Sequence, residues 1–174
     1  MANNNRPWVD KVTLENARVK WKNFSGNPTD INPAGGRRNI GIYLPDEAAI
    51  DMKNKGWNVK IEKKNEETDP DVYYIEARIN FKTDDNSSSM DPKVFMVTGR
   101  KINRLTQSMV HELDENRITS IDVTLNPSFW DMRGKSGITA YVDELYATIE
   151  RSVLGNKYAE LEEDGMLAPD NYPF

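Results

Sequence analysis

From residue 73 to residue 81 apolar and polar side chains alternate without a break. Tyr73, Ile75, Ala77, Ile79 and Phe81 take one parity, and Tyr74, Glu76, Arg78 and Asn80 the other. A period of two sends each set to its own side of the backbone, so this run predicts a half-buried β-strand and excludes a helix. The alternation recurs at 57–61, 121–125 and 138–142, and Ile40, Ile42 and Leu44 repeat it after Arg38. A chain with this many short period-two runs must bury one face of a sheet.

Two of the runs change parity midway. The apolar positions pass from Val12 and Leu14 to Ala17, Val19 and Trp21, and from Val142 to Leu145, Ala147 and Ile149. An inserted residue near Asn16 and another at Asp143–Glu144 produce such a change, which is how a β-bulge reads in sequence. After the first bulge the pattern places Arg18, Lys20 and Lys22 on the polar side. Val94 to Thr98 is apolar on both parities and predicts a central strand. Pro45 followed by Asp46 and Glu47, with Gly56 beyond, predicts one short helix, and Leu105, Met109, Val110 and Leu113 have the spacing of another. Asp84 to Asp91 reads as a flexible polar loop.

Strands joined mainly by turns predict a mainly β, antiparallel fold. Two bulges and one internal helix fit an OB-fold-like barrel with additional strands, hairpins and short helices. The chain divides into a polar arm (1–11), the folded body (12–151) and a helix with an acidic tail (152–174). Its 174 residues suit one domain with appendages, and 4 Trp, 7 Tyr and 5 Phe supply a core despite the polar composition.

Much chemistry is excluded. With no Cys and one His, thiolate zinc sites, cysteine nucleophiles and multi-histidine metal sites are ruled out. Gly134-Lys135-Ser136 lacks the first glycine of a P-loop, because position 129 is Phe129. His111-Glu112 lacks the second histidine of a zinc-protease helix, because position 115 is Glu115. Asp84, Asn86 and Ser88 copy a calcium loop but place Ser89 where the glycine belongs. No enzyme activity, metal or cofactor is expected. No stretch approaches the roughly 20 apolar residues of a membrane span, and the N-terminus shows no apolar signal segment.

The net charge of −5 is unevenly spread. Residues 1–64 hold 12 basic and 7 acidic side chains, whereas residues 158–174 hold five acids and neither Lys nor Arg. On the polar parity of the strands lie aromatic rings, Phe24, Tyr43, Tyr74, Trp130, Tyr141 and Tyr146. Arg18, Lys20, Lys22, Arg37, Arg38, Arg78, Arg133 and Lys135 lie beside them or in adjoining turns. Rings that stack on unpaired bases and cations that follow phosphates are what a single-stranded nucleic acid requires. The competing reading is that the rings pack against a second subunit or a covering helix, as in an assembly protein.

Three segments carry a resemblance: 12–19 (VTLENARV), 56–60 (GWNVK), and 129–131 (FWD) through 137–141 (GITAY). Over roughly 12–151 they resemble single-stranded DNA-binding proteins of bacterial viruses. The ending, Asp170-Asn171-Tyr172-Pro173-Phe174, is similar to the acidic tip of bacterial single-stranded DNA-binding proteins, which also ends in Pro-Phe. It departs in having one acid in its last five residues, Tyr172 in an aliphatic position and no long Gly/Gln/Pro linker before it. The resemblance implies a non-enzymatic protein that binds single-stranded DNA in replication or recombination within the host cytoplasm. It also implies recruitment of replication and recombination proteins through Asp170, Tyr172, Pro173 and Phe174. An annealing protein of the same fold is the nearest alternative, and oligomeric state stays open.

Overall fold

The computed structural model describes residues 8–62 and 67–150. The elements run β1 (Val12–Ala17), β2 (Val19–Asn23), β3 (Arg38–Leu44), α1 (Asp46–Asn54), β4 (Val59–Ile61), β5 (Tyr73–Ile79), β6 (Lys93–Thr98) and β7 (Lys101–Leu105). A 3-10 turn (Val110–Leu113), β8 (Ile118–Met132) and β9 (Lys135–Ile149) complete them. The fold is mainly β with one short α-helix, as the alternation predicts. The helix and tail expected at 152–174, and the first seven residues of the arm, lie outside the described residues.

All nine strands join one sheet, whose main path runs β1-β8-β9-β5-β3-β2, with β4 on β5 and β6–β7 against β9. The expected antiparallel sheet is in fact mixed. β5 and β6 both pair in parallel with β9, at Ala77↔Ala140 and Val94↔Leu145. They share one edge of β9, β5 before Asp143 and β6 after it. The register there steps from Thr124↔Glu144 to Leu125↔Val142, which leaves Asp143 as the inserted residue and confirms that bulge. The bulge near Asn16 is also present. Asn16 has φ 52°, and its N–H donates to Asp122 Oδ1 at 2.8 Å.

The ends of the path, β1 and β2, are consecutive in the chain, separated by Arg18 alone. The backbone oxygen of Arg18 accepts from the Tyr43 N–H at 3.0 Å. The core face carries Ile40, Ile42, Ile75, Ala77, Ile121, Leu125, Ala140 and Leu145, all buried, so the parity read from β3, β5, β8 and β9 holds. Pro127, opposite Ala140, lies past Leu125, the last residue of β8 to pair with β1; a proline without N–H is tolerated where no strand among the described residues pairs with that edge.

α1 begins after Pro45 with Asp46 and Glu47 at its positive end, and it buries Ala49 and Met52. Gly56, at φ 100°, reverses the chain so that Trp57 enters the core. One expectation fails. Residues 101–105 form strand β7 after a turn at Gly99 (φ 60°), and the helix expected over 105–113 shrinks to the 3-10 turn. Leu105 owes its burial to pairing with Val94, not to helical spacing. The polar loop before β6 is organised around buried Asp91, which accepts from Lys82 N–H, Thr83 N–H (3.1 Å), the Thr83 hydroxyl and Ser88 N–H (3.3 Å). No helix among the described residues is long and apolar enough to cross a membrane.

Candidate nucleic-acid interface

The polar face of β2, β3, β5 and β9 brings four half-buried aromatic rings together. Tyr43 on β3 stands opposite Tyr74 on β5, and Tyr141 on β9 pairs with Arg78 on β5. Trp21 on β2 stands opposite Gly41, and its indole meets the Tyr74 ring edge to face, with centroids 5.7 Å apart. Gly41 makes this possible, because a Cβ there would lie 2.2 Å from Trp21 Cε3. The indole N–H donates to Asn39 Oδ1 at 3.1 Å, which fixes the ring's rotation.

Cations sit among these rings. Lys20 Nζ lies 5.0 Å from the Tyr74 centroid and 5.5 Å from that of Tyr43, and Arg18 Cζ lies 5.4 Å from Tyr43. Lys20 is ion-paired with Glu62, which also accepts from the Tyr43 hydroxyl at 3.3 Å. The hydrogen bond that Lys20 donates to Glu62 raises the Lys20 pKa, and the same bond lowers that of Glu62, so both are charged at neutral pH. Arg78 donates through Nε to Glu76 Oε1 at 3.2 Å. Partial burial works against its charge, but Glu76 and the Tyr141 hydroxyl outweigh it and hold the guanidinium's pKa above its usual value. Lys60, opposite Tyr74 on β4, adds an exposed cation.

A second cluster lies along the β8–β9 hairpin, on the same polar parity as Tyr141. Trp130 stands opposite Gly137, where a Cβ would lie 2.7 Å from Trp130 Cζ2 and 2.8 Å from Asn58 Oδ1. The segment after α1 docks here, with Asn58 N–H donating to Ile138 O at 3.0 Å and Ile138 N–H to Gly56 O at 2.9 Å. Exposed Arg133 and Lys135 occupy the hairpin tip.

Three residues expected on this surface belong elsewhere. Phe24 is fully buried in the core, and its backbone N–H donates to Asp114 Oδ1 at 2.9 Å, so it offers no stacking face. Lys22 stands opposite buried Ile40, and its Nζ donates to the backbone oxygens of Leu113 (2.9 Å) and Asn116. Burial lowers its pKa, and it serves as a strut to the 3-10 turn. Arg38 stands opposite Ile79 with its guanidinium 5.8 Å from the Phe81 centroid, on the core parity.

A third bulge explains the first two corrections. Between Val19↔Ile42 and Trp21↔Gly41 the β2 register slips at Lys20, which returns Trp21 to the polar face and turns Lys22 and Phe24 inward. Trp21 was therefore missed, although Gly41 between two core isoleucines was a signal that a large ring crosses there. Tyr146 is on the polar parity as read, but it stacks on Phe95 with centroids 4.5 Å apart and planes 8° apart. Arg37 is exposed beside Trp21. Asp170, Tyr172, Pro173 and Phe174 lie outside the described residues.

The fold has solved counterparts. The single-stranded DNA-binding protein from bacteriophage Enc34 matches with a TM-score of 0.50 and 12% identity, over 89% of this chain and 89% of that one. A C-terminal truncation of it matches with a TM-score of 0.50 and 12% identity, over 82% of this chain and 87% of that one. At such identity the likeness is one of fold. No curated protein sequence matches the chain. A family model described as a putative phage ssDNA-binding domain matches residues 1–168, nearly the whole sequence, and the chain belongs to that family of binding domains.

Proposed function

We propose that this protein binds single-stranded DNA across the polar face of β2, β3, β5 and β9 and along the β8–β9 hairpin. Trp21, Tyr43, Tyr74, Tyr141 and Trp130 stack on bases, while Arg18, Lys20, Arg37, Arg78, Arg133 and Lys135 neutralise phosphates. The observation that carries this reading is the cluster of Trp21, Tyr74 and Tyr43 with Lys20 among them, on a face otherwise lined by polar groups. Stacking is worth roughly 1–3 kcal/mol per base and works for every base, so one such face holds a strand of any sequence. The joining of β1 to β2 through Arg18, at opposite ends of the sheet path, supports closure into an OB-like barrel. Binding of this kind protects strands exposed during phage replication or recombination. Asp170 and Tyr172 to Phe174 would then dock partner proteins.

The test is a titration of single-stranded DNA, duplex DNA and RNA oligonucleotides at several salt concentrations. The expected result is tight, sequence-tolerant binding to single strands that weakens with salt, each phosphate contact adding ~0.7 to the slope. Equal affinity for duplex, or a flat salt response, overturns the proposal.

A further inference from the structure

Beside Trp21 the surface sinks into a cavity of about 370 Å³, walled by the β2–β3 loop and floored by the sheet. Ligand sites start at about this size. Its lining sets a carboxylate and side-chain amides beside the cations Lys22 and Arg37. Glu76 reaches it from β5 and has only its Oε1 engaged, by Arg78, among the described residues. Asn39 reaches it from β3 with its Oδ1 taken by the Trp21 indole, so that its Nδ2 remains a donor. Exposed Arg37 stands at the rim. The cavity thus sets a two-oxygen acceptor, an amide donor and a guanidinium around one aromatic wall.

We infer that this cavity is a base-reading pocket that takes one guanine of the bound strand. The inference rests on the proposed single-stranded DNA binding and assigns a preference to one position within it. A carboxylate only accepts hydrogen bonds. Guanine alone presents two adjacent donors, N1–H and the N2 amine, on its Watson–Crick edge. Adenine and cytosine put a ring-nitrogen acceptor next to their single amine, and thymine flanks its one N–H with two carbonyls, so each sets a lone pair against Glu76. Guanine O6 and N7 are acceptors that suit Asn39 Nδ2 and Arg37. Unstacked bases in single strands are read in this way, by edge hydrogen bonds beside an aromatic platform. A phosphate is disfavoured here by the charge of Glu76.

The experiment compares oligothymidylate strands carrying one central dG, dI or dA, titrated into the full-length protein and its Glu76→Gln variant at fixed salt. Inosine keeps O6, N7 and N1–H but lacks the N2 amine. The expected result is about tenfold tighter binding of the dG strand than of the dI or dA strand, within the range of a two-bond base contact. In Glu76→Gln that ratio falls to about one. Strands that all bind equally well overturn the pocket and leave single-stranded DNA binding intact. A dG preference that survives Glu76→Gln overturns the assignment of the reader. If no strand binds, the proposed function itself fails.

Discussion

Trp21 lies across Gly41 of the neighbouring strand so closely that the indole occupies the space of a side chain Gly41 lacks: a Cβ there would stand 2.2 Å from Cε3. A glycine in a central strand weakens it, having no side chain to pack and more backbone entropy to lose. Here the ring of β2 covers that gap, meets Tyr74 edge to face and forms one wall of the cavity. Replacing either residue disturbs the same ring.

Gly41→Ala therefore forces the indole off its seat, and Trp21→Ala removes it. Each is expected to weaken single-stranded DNA binding by about 1–3 kcal/mol, the worth of one stacked base. Because both act through one ring, the double variant is expected to bind no worse than Trp21→Ala alone. Additive losses in a titration of all four proteins would show that Gly41 acts independently of Trp21.

Tyr74→Ala and Trp130→Ala report on the two parts of the interface. Both rings lie on the polar face and are only half-buried, so each substitution is expected to weaken binding by about 1–3 kcal/mol while the protein still unfolds in one cooperative transition. A large fall in melting temperature without a change in affinity would assign the ring to the fold.

If Lys20 contacts phosphate as proposed, Glu62 competes with DNA. It holds Lys20, a cation set between two rings, in an ion pair that any phosphate must displace. Glu62→Gln is expected to raise affinity several-fold at low salt and to steepen the salt dependence by ~0.7, one more phosphate contact. Unchanged affinity and slope would mean that Lys20 makes no phosphate contact.

How far the sequence foretold this arrangement depended on where the strands slip. β3, β5 and β9 keep strict period two or announce their bulge by a parity change, so Tyr43, Tyr74, Arg78 and Tyr141 were readable on the polar face. In β2 the slip at Lys20 falls inside a strand of five residues, too short for a second half to show the change. Trp21 was therefore exchanged with Lys22 and Phe24. Arg38 was misplaced for a different reason: a cation at a strand end next to a turn reads as solvent-facing, yet its long stem lies over Phe81 and its Nε is buried without a hydrogen-bond partner among the described residues. The cavity beside Trp21 draws on β2, β3, β5 and a loop, a conjunction that only pairing register reveals. Parallel pairing of β9 with both β5 and β6 was hidden too, because alternation does not encode strand direction.

Asp91 is a structural carboxylate whose effect depends on pH. Burial alone would raise its pKa, but hydrogen bonds from the Thr83 hydroxyl and the backbone N–H groups of Lys82, Thr83 and Ser88 outweigh it and lower the value. A carboxyl group with a lower pKa folded than unfolded adds stability that is complete above the unfolded value, about 3.9, and fades as pH falls through the folded value. Asp91→Asn is thus expected to melt well below the parent protein at pH 7. The gap should narrow only below about pH 4. A gap of constant size across this range, followed by circular dichroism, would show that the carboxylate's charge is not what organises the loop.

Arg133 holds a conformation ill-suited to its residue type. It and Gly134 form the two-residue turn between Met132 and Lys135, with φ 52° and 78°. Such turns need positive φ at both central positions, and Asn-Gly is their favoured sequence. An L-residue other than Gly, Asn or Asp in this region carries a steric cost of roughly 1–2 kcal/mol. A strained residue in a structural turn is expected to be replaced by an easier one unless its side chain has another use. Arg133, exposed at the tip of the hairpin that bears Trp130, is placed to reach a phosphate of a strand stacked on Trp130 as proposed. Arg133→Asn should therefore stabilise the protein by up to about 1 kcal/mol, since Asn tolerates this conformation. It should also weaken single-stranded DNA binding and reduce the salt slope by ~0.7. Thermal melts and titrations at two salt concentrations on the same variant separate the two effects. A variant that is more stable and binds DNA with an unchanged slope would remove Arg133 from the interface and leave its strain without a functional reason.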